Sequence, residues 1–212
     1  MKTYSKYKDS GIDWIGEIPI EWEIKRNKDM AVIVTGATPK SSKIEYWENG
    51  DINWATPIDL GQNSRIFKTK RKITQLGLDN CGAEMVPIGS VVMATRAPIG
   101  YITFVENEIS FNQGCKALKF TKNIYPNFVF YYLKSSENIL QSLGQGTTFM
   151  ELPTKRLSAF NLLIPPFPEQ EKIAEFLDDK NQRIDKTIKN KYQQIELLKE
   201  RKLLLMKLLQ RD

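Results

Sequence analysis

The last 44 residues, 169–212, contain no proline and no glycine, and their apolar residues recur on a seven-residue repeat. Alternating spacings of three and four residues are typical of a coiled coil. The repeat predicts one continuous helix of about 65 Å, at 1.5 Å per residue. Its apolar stripe is formed by Ala174, Leu177, Ile184, Ile188, Ile195, Leu198, Leu205 and Leu209.

No second long helical pattern in the chain matches this stripe, so we expect another chain to cover it. Asn181, Lys191 and Lys202 interrupt the stripe. Polar residues at such positions cost stability but can fix the register and the number of strands. The alternative is an ordinary amphipathic helix that folds back on its own domain. We favour pairing between two copies of the chain.

The composition restricts the chemistry that the chain can perform. Its 212 residues are 41% apolar, which is enough for one core of about 165 residues beside the helix. The sequence has no histidine, which removes the usual general base and the commonest metal ligand. We therefore expect no catalytic residue, no metal site and no cofactor.

The cysteines and the apolar runs indicate a compartment. Cys81 and Cys115 are 34 residues apart, without a CxxC pair or a signal peptide. Buried thiols in a reducing cytosol are therefore favoured over a disulfide or a metal site. No apolar run approaches the roughly 20 residues that span a bilayer. We expect a soluble, cytoplasmic protein without membrane contact.

The local patterns predict an α+β fold. Short apolar runs between turn signals predict strands at 31–34, 52–55, 91–95, 99–105 and 161–164, in a mixed or antiparallel sheet. A helix should begin at Pro126, continue or restart through 139–143, and end at Gly144 and Gly146. Residues 1–165 then form a globular domain, and 166–212 form the long helix.

Two motifs suggest enzymes. Residues 164–167, Ile-Pro-Pro-Phe, resemble the loop by which amino-methyltransferases hold a flipped base, but isoleucine cannot accept a hydrogen bond from the base's amine. We reject that activity. Asp13, Glu23 and Lys25 loosely fit the spacing of Mg²⁺-dependent nucleases. The competing interpretation, which we favour, is a surface strand with alternating charges.

Polar and basic loops suggest contact with nucleic acid. The net charge is +6, and five basic residues lie within 65–72. This run is either a solvated loop or a phosphate clamp. Arg96 lies on a stiff turn before Pro98, where a guanidinium can address guanine or phosphate. The 144–148 loop offers Gln145 and two hydroxyl groups. Either loop is otherwise a simple turn.

Several ordered motifs resemble the specificity (S) subunits of Type I restriction-modification enzymes. The leader, residues 7–19 with Trp22, is similar to the opening of those subunits. The later matching segments are GATP (36–39), RAPIG (96–100), NQGCK (112–116), GTTF (146–149) and PPFPEQ (165–170). Because they occur in order over nearly the whole chain, together they are more specific than any single motif.

The resemblance implies a noncatalytic reader of double-stranded DNA. Its target recognition domain would contact one half of a split target, and the helix would dock methyltransferase (M) subunits, which restriction (R) subunits join. Family members usually carry two recognition domains and two helices, whereas this chain has one of each. Two copies paired antiparallel would read an interrupted palindrome; pairing with a different S half would give an asymmetric site. A decoy that occupies M subunits without reading DNA is a further alternative.

These considerations select three groups of candidate residues. The DNA contacts are expected at Arg96, Gln113, Lys116, Gln145, Thr147 and Thr148, with Thr38, Lys40 and Ser41 as second choices and Lys70 and Arg71 from the basic run; we expect them to lie in loops beside strands. The dimer contacts are expected at Leu177, Ile184, Ile188, Ile195, Leu198, Leu205 and Leu209. The M-docking contacts are expected at Trp14, Ile18 and Trp22.

Overall fold

The computed structural model describes residues 4–62, 64–121, 123–146 and 150–209, apart from the side chains of 204 and 207–209. Its strands are β1 (Tyr7–Asp9), β2 (Glu17–Pro19), β3 (Glu23–Arg26), β4 (Ala31–Thr35), β5 (Ile52–Ala55), β6 (Arg65–Ile66), β7 (Arg71–Ile73), β8 (Val91–Ala94), β9 (Ile102–Val105), β10 (Ser110–Phe111), β11 (Cys115–Phe120) and β12 (Asn161–Ile164). Its helices are α1 (Asn27–Met30), α2 (Pro57–Gln62), α3 (Gln75–Asp79), α4 (Pro126–Ser135), α5 (Glu137–Ser142), α6 (Thr154–Ala159) and α7 (Phe167–Leu209). The predicted α+β class with a long C-terminal helix is confirmed.

The main sheet has five strands in the order β4-β11-β8-β9-β6. Neighbouring strands are antiparallel, except that β6 and β9 are parallel, so the sheet is mixed. Strands β8 and β9 are buried along their whole length, in keeping with their mostly apolar sequences. Val92, Phe111 and Ala117 are fully buried in the core against this sheet.

A second sheet has the order β10-β5-β7. Strand β5 is parallel to β10 and antiparallel to β7, and its Trp54 is buried. The chain approaches β7 closely just before β5 begins. A Cβ atom at Gly50 would lie 2.5 Å from the carbonyl carbon of Ile73, so a larger residue would push the two segments apart.

Helix α4 begins with Pro126 in its first turn, as its sequence predicts. It ends at Ser135 and α5 follows after Ser136, so the helical pattern restarts instead of continuing. The Ser136 hydroxyl donates to the Tyr132 carbonyl (2.8 Å), a side-chain bond of the kind that competes with regular helix. Helix α5 ends two residues before Gly144.

Helix α7 begins where the proline pair 165–166 stops the short ribbon formed by β12 and β3. The Pro166 carbonyl accepts the backbone N–H groups of Glu169 (2.8 Å) and Gln170 (3.1 Å). The buried side chain of Gln170 accepts the Tyr125 N–H (2.9 Å) and donates to the Pro165 carbonyl (2.9 Å). The first turn of α7 is thereby attached to the preceding domain.

The chain divides into two compact units, Met1–Glu171 and Lys172–Asp212. Most of α7 therefore forms a unit of its own. Within it, Arg183 pairs with Asp179 (3.0 Å) and Lys199 with Glu196 (2.8 Å), at the spacings that support a solvated helix. Among the described residues, no helix combines the length and the apolar character needed to cross a bilayer.

Both cysteines are free thiols, but their surroundings differ. Cys115 is fully buried at the start of β11, whereas Cys81 is partly exposed. The expectation of two buried thiols is therefore wrong for Cys81, which lies just beyond the short helix α3 and not in a strand. Burial, with a smaller contribution from the Asp59 carboxylate, raises the pKa of the Cys115 thiol.

We expect the native protein to react with one equivalent of maleimide, at Cys81. Because the thiolate is the reactive form, the raised pKa and the burial of Cys115 both protect it until the domain opens. Mass spectrometry of native and urea-unfolded samples measures the difference, and Cys81→Ser provides the control with no fast-reacting thiol. Rapid native labelling of both cysteines would contradict the packing of β11.

Candidate nucleic-acid interface

Three strand ends meet around the turn before β11. Strands β4 and β8 both run antiparallel to β11, so both end beside its first residues. The Gly36 N–H donates to the Cys115 carbonyl (3.3 Å), and the Thr95 N–H donates to the Gly114 carbonyl (2.8 Å). A Cβ atom at Gly36 would lie 2.2 Å from the Asn112 carbonyl oxygen, so only glycine permits this approach.

The two polar residues nearest this junction contact each other. The Thr38 hydroxyl donates to the side-chain oxygen of Gln113, and both side chains are exposed. Because the side-chain oxygen of Gln113 accepts this bond, its amide N–H₂ group can donate to another partner. Thr38 and Gln113, 75 residues apart in sequence, thus present one polar surface.

Arg96 follows β8 and is half exposed. Its Nε donates to Oε2 of Glu151 (3.0 Å), and the two residues also form an isolated antiparallel β-bridge. The aliphatic part of the Arg96 side chain passes close to Gly114, since a Cβ atom there would lie 3.7 Å from the Arg96 Cδ. Arg96 therefore lies next to the turn that carries Gln113.

Glu151 also pairs with the loop that follows α5. Gln145 and Glu151 exchange both backbone hydrogen bonds (2.8 and 2.9 Å), which brings the exposed Gln145 to the same neighbourhood. Thr147 and Thr148 lie outside the described residues. We call the loops 36–41, 95–98, 112–114 and 144–146 together the loop edge.

The expected loop position of Lys116 is wrong, because the residue lies within β11 and is only 3% exposed. Its ammonium donates to the Thr95 hydroxyl (3.1 Å), the Leu152 carbonyl (3.3 Å) and Oε1 of Glu151 (3.5 Å). An ammonium has three N–H donors, and these acceptors use all of them. Lys116 is therefore not available to DNA in this arrangement.

The basic run is divided between two sheets, because Arg65 lies in β6 and Arg71 in β7. Arg65 pairs with Glu106 (2.7 Å), which neutralises part of the run. The exposed Arg71 places its guanidinium carbon 3.9 Å from the Trp47 ring centroid and 5.1 Å from that of Trp54. Cation–π contact with both indoles restrains the position of this guanidinium.

The same two tryptophans connect Arg71 to the loop edge. The Trp54 indole N–H donates to the Ala37 carbonyl (3.0 Å), and the Trp47 indole N–H donates to the Lys40 carbonyl (3.2 Å). The side chains of Lys40 and Ser41 are exposed in this loop. The structure therefore brings Thr38, Lys40, Ser41, Arg71, Arg96, Gln113 and Gln145 into one continuous set of contacts.

Lys70 is exposed beside β7, and its backbone N–H donates to Oδ1 of Asp59 (3.2 Å). Asp59 is buried, and its Oδ2 accepts both the backbone N–H (2.9 Å) and the hydroxyl (2.6 Å) of Thr56. Sequence reasoning missed Asp59. The Thr56-Pro57-x-Asp59 pattern, which is that of a capping box with proline at the first helical position, is a signal that could have found it.

Trp47 and Glu151 were also missed. Trp47 lies in a polar segment without strand or helix periodicity, and nothing local indicates that Arg71 stacks on it. Glu151 pairs with a residue 55 positions away. Neither role has a local sequence signal, because both depend on long-range strand pairing.

The leader is only partly exposed, which corrects the choice of docking residues. Ile18, in β2, is 2% exposed and cannot contact a partner without rearrangement. Trp22 is part-buried, and its buried indole nitrogen has no hydrogen-bond partner among the described residues. Trp14 is 46% exposed, with its ring 6.1 Å from that of Tyr132.

A pocket of about 300 Å³ opens beside Trp14. The other residues that line it are Ile12, Ile139, Leu143, Arg156, Ala159, Phe160 and Asn161. Its wall is mostly apolar and contains one guanidinium. Of the three predicted docking residues, Trp14 thus combines exposure with an adjacent concave surface.

The apolar stripe of α7 is exposed in the chain from Ile184 onward, whereas Ala174 at its start is buried. Ile184, Ile188, Ile195, Leu198 and Leu205 are each between 46% and 63% exposed, and Leu177 is part-buried. The side chain of Leu209 lies outside the described residues. Exposure of this much contiguous apolar surface is typical of a surface that a partner covers.

The residues considered for enzyme chemistry have ordinary structural roles. Glu23 pairs with Lys25 (2.5 Å) on exposed side chains, and the hydrogen bond from Lys25 holds the pKa of the Glu23 carboxyl below its usual value. Within the described ranges, no group of three or more Asp, Glu, Cys or His side chains is placed to hold a metal ion. The 164–167 motif consists of the last residue of β12, the two prolines that follow it and the first residue of α7.

Comparisons with known proteins agree with this architecture of a mixed-sheet recognition domain and a long helix. Residues 19–197 match the model of the Type I restriction modification DNA specificity domain. The match covers most of the chain, and the chain therefore belongs to this family. The family resemblance seen in the sequence motifs is confirmed.

Two curated relatives carry corresponding names. The chain is 33% identical over 188 residues to the "Type I restriction enzyme MjaIX specificity subunit" of Methanocaldococcus jannaschii, covering 87% of this chain and 42% of the relative. It is 33% identical over 190 residues to the "Type I restriction enzyme EcoKI specificity subunit" of Escherichia coli, covering 85% and 40%. Both names are those of specificity subunits, as the sequence motifs led us to expect.

The fold is also that of a solved structure. The crystal structure of the HsdS subunit from Thermoanaerobacter tengcongensis aligns with a TM-score of 0.63 at 23% identity, covering 84% of this chain and 41% of that one. The chain thus spans less than half the length of the relatives that it matches.

Proposed function

We propose that this chain reads one half of a bipartite double-stranded DNA target as the specificity subunit of a type I restriction-modification complex. The observation that carries the proposal is the family match over residues 19–197. The loop edge supports it independently, because polar and basic side chains from distant parts of the sequence meet there. The net charge of +6 favours association with a polyanion.

The candidate contacts divide into two kinds by chemistry. Arg96, Gln113 and Gln145 carry the donor groups that recognise base edges in the major groove. Lys40 and Lys70 present flexible ammonium groups, which act as point charges toward phosphate. The first kind should determine sequence preference, and the second should determine affinity for any duplex.

We expect Arg96→Ala to relax preference at one base pair of the target, at a cost of about 1–3 kcal/mol of discrimination. Lys70→Ala should weaken binding to all duplexes about equally and reduce the salt dependence of binding by roughly one phosphate contact. Both effects are measured by selecting duplexes from a randomised library for binding to the full chain. The affinities of the selected duplexes are then measured at several salt concentrations. An equal loss of affinity for all sequences in Arg96→Ala would make Arg96 a phosphate contact.

The same assay separates the alternative functions. A nuclease that uses Asp13, Glu23 and Lys25 would cleave the duplexes when Mg²⁺ is added, whereas we expect them to stay intact. A decoy that only occupies methyltransferase subunits would enrich no sequence from the library. Enrichment of no motif by the wild-type chain would therefore contradict the proposed function itself.

We further propose that two copies pair through α7 in an antiparallel, two-fold arrangement. The exposed stripe supports this, because burying an isoleucine or leucine side chain contributes about 1.5–3 kcal/mol. A closed two-fold dimer uses the same surface on both copies, so no apolar face remains uncovered. Two identical readers related in this way would recognise an interrupted palindrome.

We expect sedimentation at micromolar concentration to show a dimer, and Ile195→Lys to weaken it more than about 100-fold because each dimer loses two buried side chains. Gln193→Lys, which adds the same charge on the helix face opposite the stripe, is the matched control and should stay dimeric. In cells that carry the chain with its methyltransferase subunit, methylated adenines should lie in a palindrome with a fixed spacer. A monomeric wild type would contradict the pairing, and an asymmetric motif would indicate a different partner half.

The methyltransferase subunits are proposed to dock at the exposed Trp14 and its pocket, and restriction subunits to join through them. A tryptophan beside a concave apolar surface is the composition typical of an interface hot spot. Tyr132, on which the ring of Trp14 lies, is itself fixed because its hydroxyl donates to the Asn161 carbonyl (3.2 Å). The anchor is therefore held in place before binding.

Trp14→Ala should weaken binding of the methyltransferase subunit by about 2 kcal/mol or more, as for a hot-spot residue. Binding of the same variant to a selected DNA duplex should not change. Ile88→Ala, at another exposed apolar position, serves as the control for general surface effects. Binding of the methyltransferase subunit is measured by calorimetry. If Trp14→Ala leaves this binding unchanged, Trp14 is not part of the interface.

A further inference from the structure

We propose that Glu151 is a positioning residue that orients Arg96 for base reading, and that the buried Lys116 holds Glu151 in place. This inference rests on the proposed function, because it concerns how one DNA contact is prepared. The two oxygens of the Glu151 carboxylate contact two different cations. Oε2 accepts from Arg96 Nε (3.0 Å), and Oε1 lies 3.5 Å from Lys116 Nζ.

The bond to Nε selects how Arg96 can bind a partner. A guanidinium offers a side-on pair of donors, which includes Nε, and an end-on pair formed by its two terminal nitrogens. Glu151 occupies Nε and so removes the side-on pair. The end-on pair remains, and it matches the O6 and N7 acceptors of guanine in the major groove.

The bond also restricts a flexible side chain. Arg96 is half exposed, and a free arginine would lose its rotamer freedom when it binds a base. Glu151 removes part of that freedom beforehand, since its own backbone is paired with both Arg96 and Gln145. Preorganisation of this kind lowers the entropic cost of binding.

Lys116 explains how a carboxylate is tolerated where DNA would bind. A lone glutamate would repel phosphates and would be free to change rotamer. The Lys116 ammonium is fixed by two neutral acceptors, the Thr95 hydroxyl and the Leu152 carbonyl, and is 3% exposed. It therefore supplies an immobile positive charge on the inner side of Glu151, and the three groups together carry a net charge of +1.

A role of Glu151 in orienting Arg96 predicts a loss of base preference, which the negative charge of Glu151 alone does not predict. Removal of the carboxylate by Glu151→Ala should leave affinity for random duplexes equal or higher, because one negative charge is lost near the phosphates. Preference should nevertheless fall at the same base pair that Arg96→Ala affects, by about fivefold or more. Glu151→Gln, which retains an oxygen acceptor for Nε, should be intermediate.

The experiment uses the full-length chain and two duplexes that differ only at the base pair identified with Arg96→Ala. Preference, the ratio of the affinities for the two duplexes, is measured for Glu151→Ala, Glu151→Gln and Lys116→Met. It is also measured for the double variant Arg96→Ala with Glu151→Ala, whose preference should equal that of Arg96→Ala alone. Lys116→Met keeps the buried volume and should also reduce preference. Glu106→Ala breaks another arginine–glutamate pair (Arg65–Glu106, 2.7 Å) and is the matched control, expected to leave preference unchanged.

The outcomes separate this inference from the proposed function. A wild-type chain without any enriched motif overturns both. A wild-type motif that Arg96→Ala relaxes, with full preference retained in Glu151→Ala, overturns the positioning role alone. Higher affinity with intact preference in Glu151→Ala would instead make Glu151 an inhibitory cover on Arg96. Urea unfolding of each variant identifies any that are simply destabilised, and preference is compared only among variants that are folded.

Discussion

Strand β11 is paired on both sides, and this pairing determines where the candidate DNA contacts lie. Because β4 and β8 both run antiparallel to it, their C-terminal ends lie beside its first two residues, Cys115 and Lys116. The loops that follow β4 and β8 and the turn that precedes β11 must then share one edge. Cys115 and Ala117 are fully buried, so this register is anchored in the core and not at the surface. The polar loops can vary while the strand ends remain in place.

The sequence was sufficient for elements whose signals are local. The seven-residue repeat, the proline at the start of α4 and the apolar runs of β5, β8 and β12 each reflect a periodicity or a backbone restriction within about ten residues. The family motifs then identified the class of protein. Our prediction that Arg96→Ala alters reading at a single base pair rests on those motifs and on the end of β8, which was predicted at residue 95 and lies at Ala94.

The roles of individual site residues could not be predicted in the same way. Lys116 shares the face of β11 with Leu118, as residues two apart in a strand do, but the segment was interpreted as a loop and its burial was missed. Ile18 was grouped with Trp14 and Trp22 as a docking residue, although its alternation with Glu17 in β2 places it inward. The role of Glu151 depends on a partner 55 residues away, and no local pattern contains that information.

The cluster of Arg96, Glu151 and Lys116 is better understood as a geometric device than as a source of stability. Removing an ammonium from water is costly, and a well-packed apolar residue in the same place is often as stabilising or more so. Leu118, which shares the face of β11 with Lys116, is a buried apolar residue. A merely structural strand therefore has little reason to contain it. The ammonium gives what an apolar side chain cannot: a fixed charge that determines the position of the Glu151 carboxylate and, through it, the direction of the Arg96 guanidinium.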